Sequence, residues 1–145
     1  MTDALFDELI KLAKEFKNPN QVKLPMENEK KVFPLLSSDS NHDFFVDYHR
    51  SGTIELKSKT QMRDGKSIPL VRLEINAPPH MNPDGTLTSR DHIHIYKEGY
   101  DLKWAYELPA IFNQTIVLNN HLELFTTFCK YCNIDINNIS LQGVV

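Results

Sequence analysis

The sequence predicts an α+β fold: an antiparallel sheet of four to five strands with an N-terminal and a C-terminal helix packed on one face. Three observations carry this. Apolar residues recur at helical spacing only near the two ends of the chain, and between them the period changes to two. The alternating segments are separated by short turns containing Gly, Asp or Ser, which join antiparallel neighbours. A chain of 145 residues, 41% hydrophobic and 24% charged, fits one domain over 1–145.

The elements follow in order. Thr2 can cap a helix on which Leu5, Leu9, Leu12, Ala13 and Phe16 recur every three or four residues, with Asp3, Asp7 and Glu8 at its positive end. That pattern predicts a helix reaching Asn18-Pro19. Residues 18–31, with two prolines and several charges, read as a connector into "VFPLL". From Asp43, "DFFVDYHR", "TIELKSKTQM" and "SIPLVRLEI" read as strands joined at Ser51-Gly52 and Asp64-Gly65. "HIHIY" continues the meander, and after Glu98-Gly99 "KWAYEL" is a further strand ending at Pro109. Asn119 or Asn120 can cap a second helix, "HLELFTTFCKYC", with Leu122, Phe125, Phe128, Cys129 and Cys132 in one stripe and Asn133 ending it. The tail "IDINNISLQG" has room for one short strand.

Composition excludes several classes. Sixteen Lys and Arg against nineteen Asp and Glu give a net charge of -3, too slight for a general phosphate-binding surface or a DNA mimic. Direct nucleic-acid binding is therefore not expected. The acidic N-terminus does not resemble a signal peptide and no apolar run approaches membrane-spanning length, so the expectation is a cytoplasmic protein without membrane association. Cys129 and Cys132 do not form the framework of a secreted domain, and a lone CxxC on an amphipathic helix is expected to pack in the core. No Gly-rich phosphate loop, nucleophile elbow or HExxH motif is present. Trp104, Tyr96, Tyr100 and Tyr106, with Lys97 and Lys103, have the composition of a base-stacking surface, but sheet packing explains them more simply.

Three of the six histidines lie within residues 78–96. Alternation sends Val71, Leu73 and Ile75 to one face of their strand and Arg72 and Glu74 to the other; it likewise separates Ile93 and Ile95 from His92 and His94. With the isoleucines on the helix-covered face, both imidazoles point outward, beside Arg72, Glu74 and His49. Such a pair is a two-ligand clamp for a metal, although solvated polar residues give the same pattern. His80 strengthens the metal reading. It follows Pro78-Pro79, and "NPDG" at 82–85 has the chemistry of a tight reversal that returns the loop to the strand. His80, His92 and His94 are therefore the candidate ligands of a zinc ion, with the fourth position open to Asp84, Asp91 or water. An open position would also suit a metal-dependent hydrolase or nuclease, in which Glu74, Asp84 or Asp91 transfers protons.

The run "RLEINAPPHMNPDG", continued by "HIHIYKEGYDLKWAYEL" at 92–108, resembles a family of small proteins from phages and prophages of Gram-positive bacteria. The matching positions are Pro79-His80, Asn82 to Gly85, His92 to Tyr96, Glu98 to Tyr100 and Lys103 to Ala105, about a quarter of the chain. The chain is also similar to zinc-containing anti-CRISPR inhibitors of a type II CRISPR effector nuclease. This resemblance implies a non-enzymatic protein of the bacterial host cytoplasm. Its partner would be the effector nuclease, whose target-DNA loading it would block at the recognition lobe, and its zinc would be structural.

Overall fold

The computed structural model describes residues 1–25, 28–51, 57–112 and 120–140. The Ser51-Gly52 turn, residues 53–56 of the second expected strand, Asn119 and residues 141–143 of the tail fall wholly or partly outside them. Among the described residues the helices are α1 (Asp3–Lys11), α2 (Leu108–Phe112) and α3 (His121–Tyr131). The strands are β1 (Lys14–Phe16), β2 (Glu29–Ser37), β3 (Phe44–Ser51), β4 (Lys57–Asp64), β5 (Ile68–Ile75), β6 (His92–Ile95), β7 (Ala105–Glu107) and β8 (Ile134–Asp135). The α+β class is as expected. The sheet is larger than the four to five strands expected, with eight in the order β7-β6-β5-β4-β3-β2-β1-β8. Every pairing is antiparallel except β1 with β8.

The three extra strands lie at one end of the sheet, where the sequence pattern misleads. Thr2 caps α1 through its side-chain oxygen, which accepts from the Leu5 amide. The helix nevertheless ends at Lys11 rather than at Asn18-Pro19. Phe16 does not continue its stripe; as a β1 residue it packs against both Phe33 and Phe125 in a three-ring cluster. Lys14 is 2% exposed, and its ammonium donates to the carbonyls of Ile10, Leu12 and Cys132. It thus serves the carboxyl ends of two helices, where unpaired carbonyls favour a cation. Burial lowers its pKa to about 8. The expected connector over 18–31 already contains the start of β2. In β2, Pro34 marks a change of partner: Glu29 to Pro34 pair with β3, and Leu35 to Ser37 with β1. A proline lacks the amide that a strand flanked on both sides would use there.

The core lies on one face of the central strands. Cross-strand neighbours Phe33, Val46, Met62, Val71 and Ile95 form one row. Tyr48, Thr60, Leu73 and Ile93 form the next. Phe125 of α3 meets Phe33 and Tyr48 edge-on, and Phe6 and Leu9 of α1 join the same cluster. Asn120 caps α3 by accepting from the Glu123 amide, and Phe125, Phe128 and Cys129 form its buried stripe. Cys129 and Cys132 are free and buried in this core, and burial raises both thiol pKa values, keeping them protonated. The "KWAYEL" strand is confined to β7, after which Leu108 begins the short helix α2. Among the described residues no helix is long and apolar enough to cross a membrane.

Candidate metal centre

The opposite sheet face carries the histidines. Register places Lys30, His49, Lys59, Glu74, His92 and Glu107 in one cross-strand row, and Asp47, Gln61, Arg72 and His94 in the next. His92 and His94 thus leave the isoleucine face, as alternation requires. They do not face water: His92 is 0% and His94 2% exposed.

The cover is the 76–91 loop together with 97–104. The loop is an irregular hairpin closed by Ala77 N–H to the Arg90 carbonyl, by Thr88 N–H to the His80 carbonyl, and by Asn82 N–H to the Thr86 carbonyl. Its tip is the expected turn, with the Gly85 amide donating to the Asn82 carbonyl and Gly85 at φ +88°. Asn82 then docks the hairpin on β7. Its side chain donates to the Ala105 carbonyl and accepts from the Ala105 amide, imitating a strand partner.

Inside this cover the nitrogens can be assigned. His92 Nδ1 lies 2.9 Å from the Ser89 carbonyl and His94 Nδ1 2.8 Å from the Leu102 carbonyl. A carbonyl only accepts, so both Nδ1 atoms carry protons. Each Nε2 points at one atom, Glu74 Oε2, at 3.0 Å from His92 and 3.4 Å from His94. Without a metal, both Nε2 atoms would also need protons to donate there, giving two buried imidazoliums against one carboxylate. A divalent cation on the two Nε2 atoms and Oε2 removes that excess of protons. Ligand atoms around tetrahedral zinc, at bond lengths near 2.05 Å, are about 3.3 Å apart, between the two observed spacings. Nδ1 donation to backbone carbonyls is also the usual way in which a metal-ligating imidazole is oriented. The donor set fits a metal.

Among the described residues Glu74, His92 and His94 have ligand atoms within 4.8 Å of one another. His80 reaches the cluster without joining that group. Its ring centroid is 4.6 Å from that of His94 and 6.1 Å from that of His92, and its Nε2 donates to the Lys103 carbonyl 2.7 Å away. Asp84 and Asp91 turn elsewhere: Asp84 accepts from Thr86, and Asp91 from the Asn76 amide. Glu74 was legible as a neighbour of the histidines by alternation, but not as their common partner. The signal was the pairing of β5 with β6, which sets Glu74 opposite His92.

The electrostatics centre on Glu74. Hydrogen bonds from His92 and then His94 hold its carboxyl far below the usual range, against the opposing effect of burial. For His92, burial opposes protonation, but the Glu74 and Ser89 hydrogen bonds outweigh it and the pKa is raised. The second carboxylate oxygen, Oε1, faces the other way, 3.1 Å from Arg72 Nε and 3.8 Å from Lys59 Nζ.

Fold and site together define an α+β protein with a buried histidine and carboxylate centre beneath a docked hairpin. The chain belongs to DUF6978, a family of unknown function, whose model matches residues 1–134. No curated protein and no solved structure matches the chain.

Proposed function

We propose that the protein is a non-enzymatic binding protein whose recognition surface is held in place by a zinc ion at Glu74, His92 and His94, with His80 turning in as the fourth ligand. On the resemblance of residues 72–108, its partner is a type II CRISPR effector nuclease of the bacterial host cytoplasm, whose target-DNA loading it blocks. The observation that carries the structural role of the metal is burial: the two histidines are 0% and 2% exposed, which leaves a substrate little approach. The same hairpin presents an apolar pair at its far end. Met81 and Leu87 face each other across a β-bridge and are each 63% exposed. Large apolar side chains on a rigid support are the usual anchors of an interface.

The test is association of the purified protein with type II effectors, followed by a target-DNA loading assay. Replacing Met81 and Leu87 together by Asp is expected to weaken inhibition at least tenfold with the melting temperature unchanged. No association at micromolar concentration with a panel of such nucleases removes the partner.

One observation favours a second reading. His80 Nε2 is engaged by the Lys103 carbonyl, so three donors converge without it, and a water would have to complete the coordination. A metal-dependent hydrolase or nuclease would use it. Metal-dependent phosphodiester turnover that His94→Ala abolishes and His80→Ala leaves intact would favour that reading.

A further inference from the structure

Beside the metal centre, the uncovered sheet face forms an open groove of about 320 Å³ lined by Lys30, His49, Lys59, Arg72, Asp47 and Gln61. This is at the lower end of the range for small-molecule sites. Its charges are not balanced. Asp47 is engaged by Arg63 in a two-pronged ion pair, with Nε 2.7 Å and Nη2 3.2 Å from its two oxygens. That leaves Glu74 as the counter-ion of Lys59 and Arg72. Arg72 Nε is buried and lies near Glu74 Oε1 without the alignment of a hydrogen bond, so this guanidinium N–H has no hydrogen-bond acceptor.

Glu74 is shared between two neighbourhoods: Oε2 faces the histidines, and Oε1 faces the groove. A divalent cation on Oε2 takes up the carboxylate's charge. Among the described residues Lys59 and Arg72 then lack a counter-ion, and Lys30 adds a further cation from β2. Resting on the metal reading above, we infer that the groove is a binding site for a tetrahedral dianion, the phosphoryl group of a nucleotide-sized ligand, and that the metal and this anion strengthen each other's binding through Glu74. An arginine fork and two lysines suit a doubly charged phosphoryl group better than a single carboxylate. The coupling is reciprocal by linkage: whatever factor the metal adds to anion affinity, the anion adds to metal affinity.

The experiment uses the full chain loaded with zinc, its content fixed by elemental analysis. Uridine monophosphate and inorganic sulfate are titrated in turn while the amide resonances of Lys59, Gln61 and Arg72 are followed by NMR. Both probes are expected to shift these resonances, and a tighter fit for the nucleotide shows that the groove also reads the organic moiety. Lys59→Gln and Arg72→Gln should each weaken binding about tenfold, the effect of roughly one close charge near a protein surface, with zinc content and melting temperature retained. Saturating uridine monophosphate should raise zinc affinity, measured by chelator competition, by the factor that zinc adds to nucleotide affinity. Zinc-loaded protein that binds neither probe, or binds them equally well in both variants, overturns the groove and leaves the metal centre standing. A chain that takes up no zinc overturns both. Tighter binding of an unphosphorylated single-stranded DNA than of the mononucleotide overturns the small-ligand site in favour of a polyanion surface.

Discussion

The imidazoles of His92 and His94 are each fixed at Nδ1 by a backbone carbonyl, so the only freedom left to them is what occupies Nε2. Replacing His94 by Ala removes a ligand and opens a cavity at a buried site. The expected result is loss of stoichiometric zinc and a stability loss of about 3 kcal/mol, or roughly 6 to 12 °C in melting temperature. His80→Ala, at a half-buried position bonded to Lys103, should weaken zinc binding with a much smaller melting shift. Elemental analysis and thermal melts of the two variants check this order. Another histidine, His121, is expected to contribute acid sensitivity of its own, beside that of Glu74. His121 is buried, with its Nδ1 hydrogen-bonded to the Tyr48 hydroxyl at 2.7 Å. Burial, and then the charge of Arg50, lowers its pKa to about 4 from 6.5. The unfolded chain therefore binds this proton first. Stability is fully present above pH 6.5 and is lost as pH falls toward 4, by about 3 kcal/mol in total. Urea titrations at pH 7 and pH 4 should show this excess acid loss in the native protein and not in His121→Gln.

The element that decides the site is the 76–91 hairpin, because it turns an outward sheet face into an interior. Asn82 is its fastening, through the donor and acceptor of its amide on Ala105. Asn82→Ala leaves both Ala105 groups buried without these partners and is expected to cost about 2 to 3 kcal/mol. Denaturant unfolding measures that cost, and zinc content should fall with it. Much of this element was legible in advance. The "NPDG" turn, the alternation along "HIHIY" and the return of His80 all follow from local chemistry, and alternation set Glu74 on the same face. Burial was not legible, because it comes from an asparagine that pairs as a strand would with a backbone 23 residues away. The other misreading was also one of context. Phe16 sits four residues after Leu12, as a helix stripe would have it, but the pairing of Lys14 to Phe16 with Ser37 to Leu35 outweighs the local period.

At the scale of the whole molecule, the candidate metal centre and the hydrophobic core lie on opposite faces of the same central strands. On the metal reading proposed above, the core would not depend on the metal, whereas the cover over His92 and His94 would. Chelation of protein purified without a histidine tag should therefore lower the melting temperature and expose the 76–91 amides to hydrogen exchange, while the amides of β3 and β4 stay protected. Unfolding of the whole sheet on chelation would instead place the metal in the same cooperative unit as the core.

The position of β1 between β2 and β8 has a consequence for how the chain is made. Residues 14–16 leave the ribosome before the central strands β3 to β5, yet their parallel neighbour is Ile134–Asp135, and the Lys14 ammonium awaits the carbonyl of Cys132, 118 residues downstream. Hairpins such as β3-β4 and β4-β5 can pair as soon as they emerge. β1 cannot be sealed on its β8 side until synthesis has passed residue 135, so a segment made before the central hairpins is locked after them.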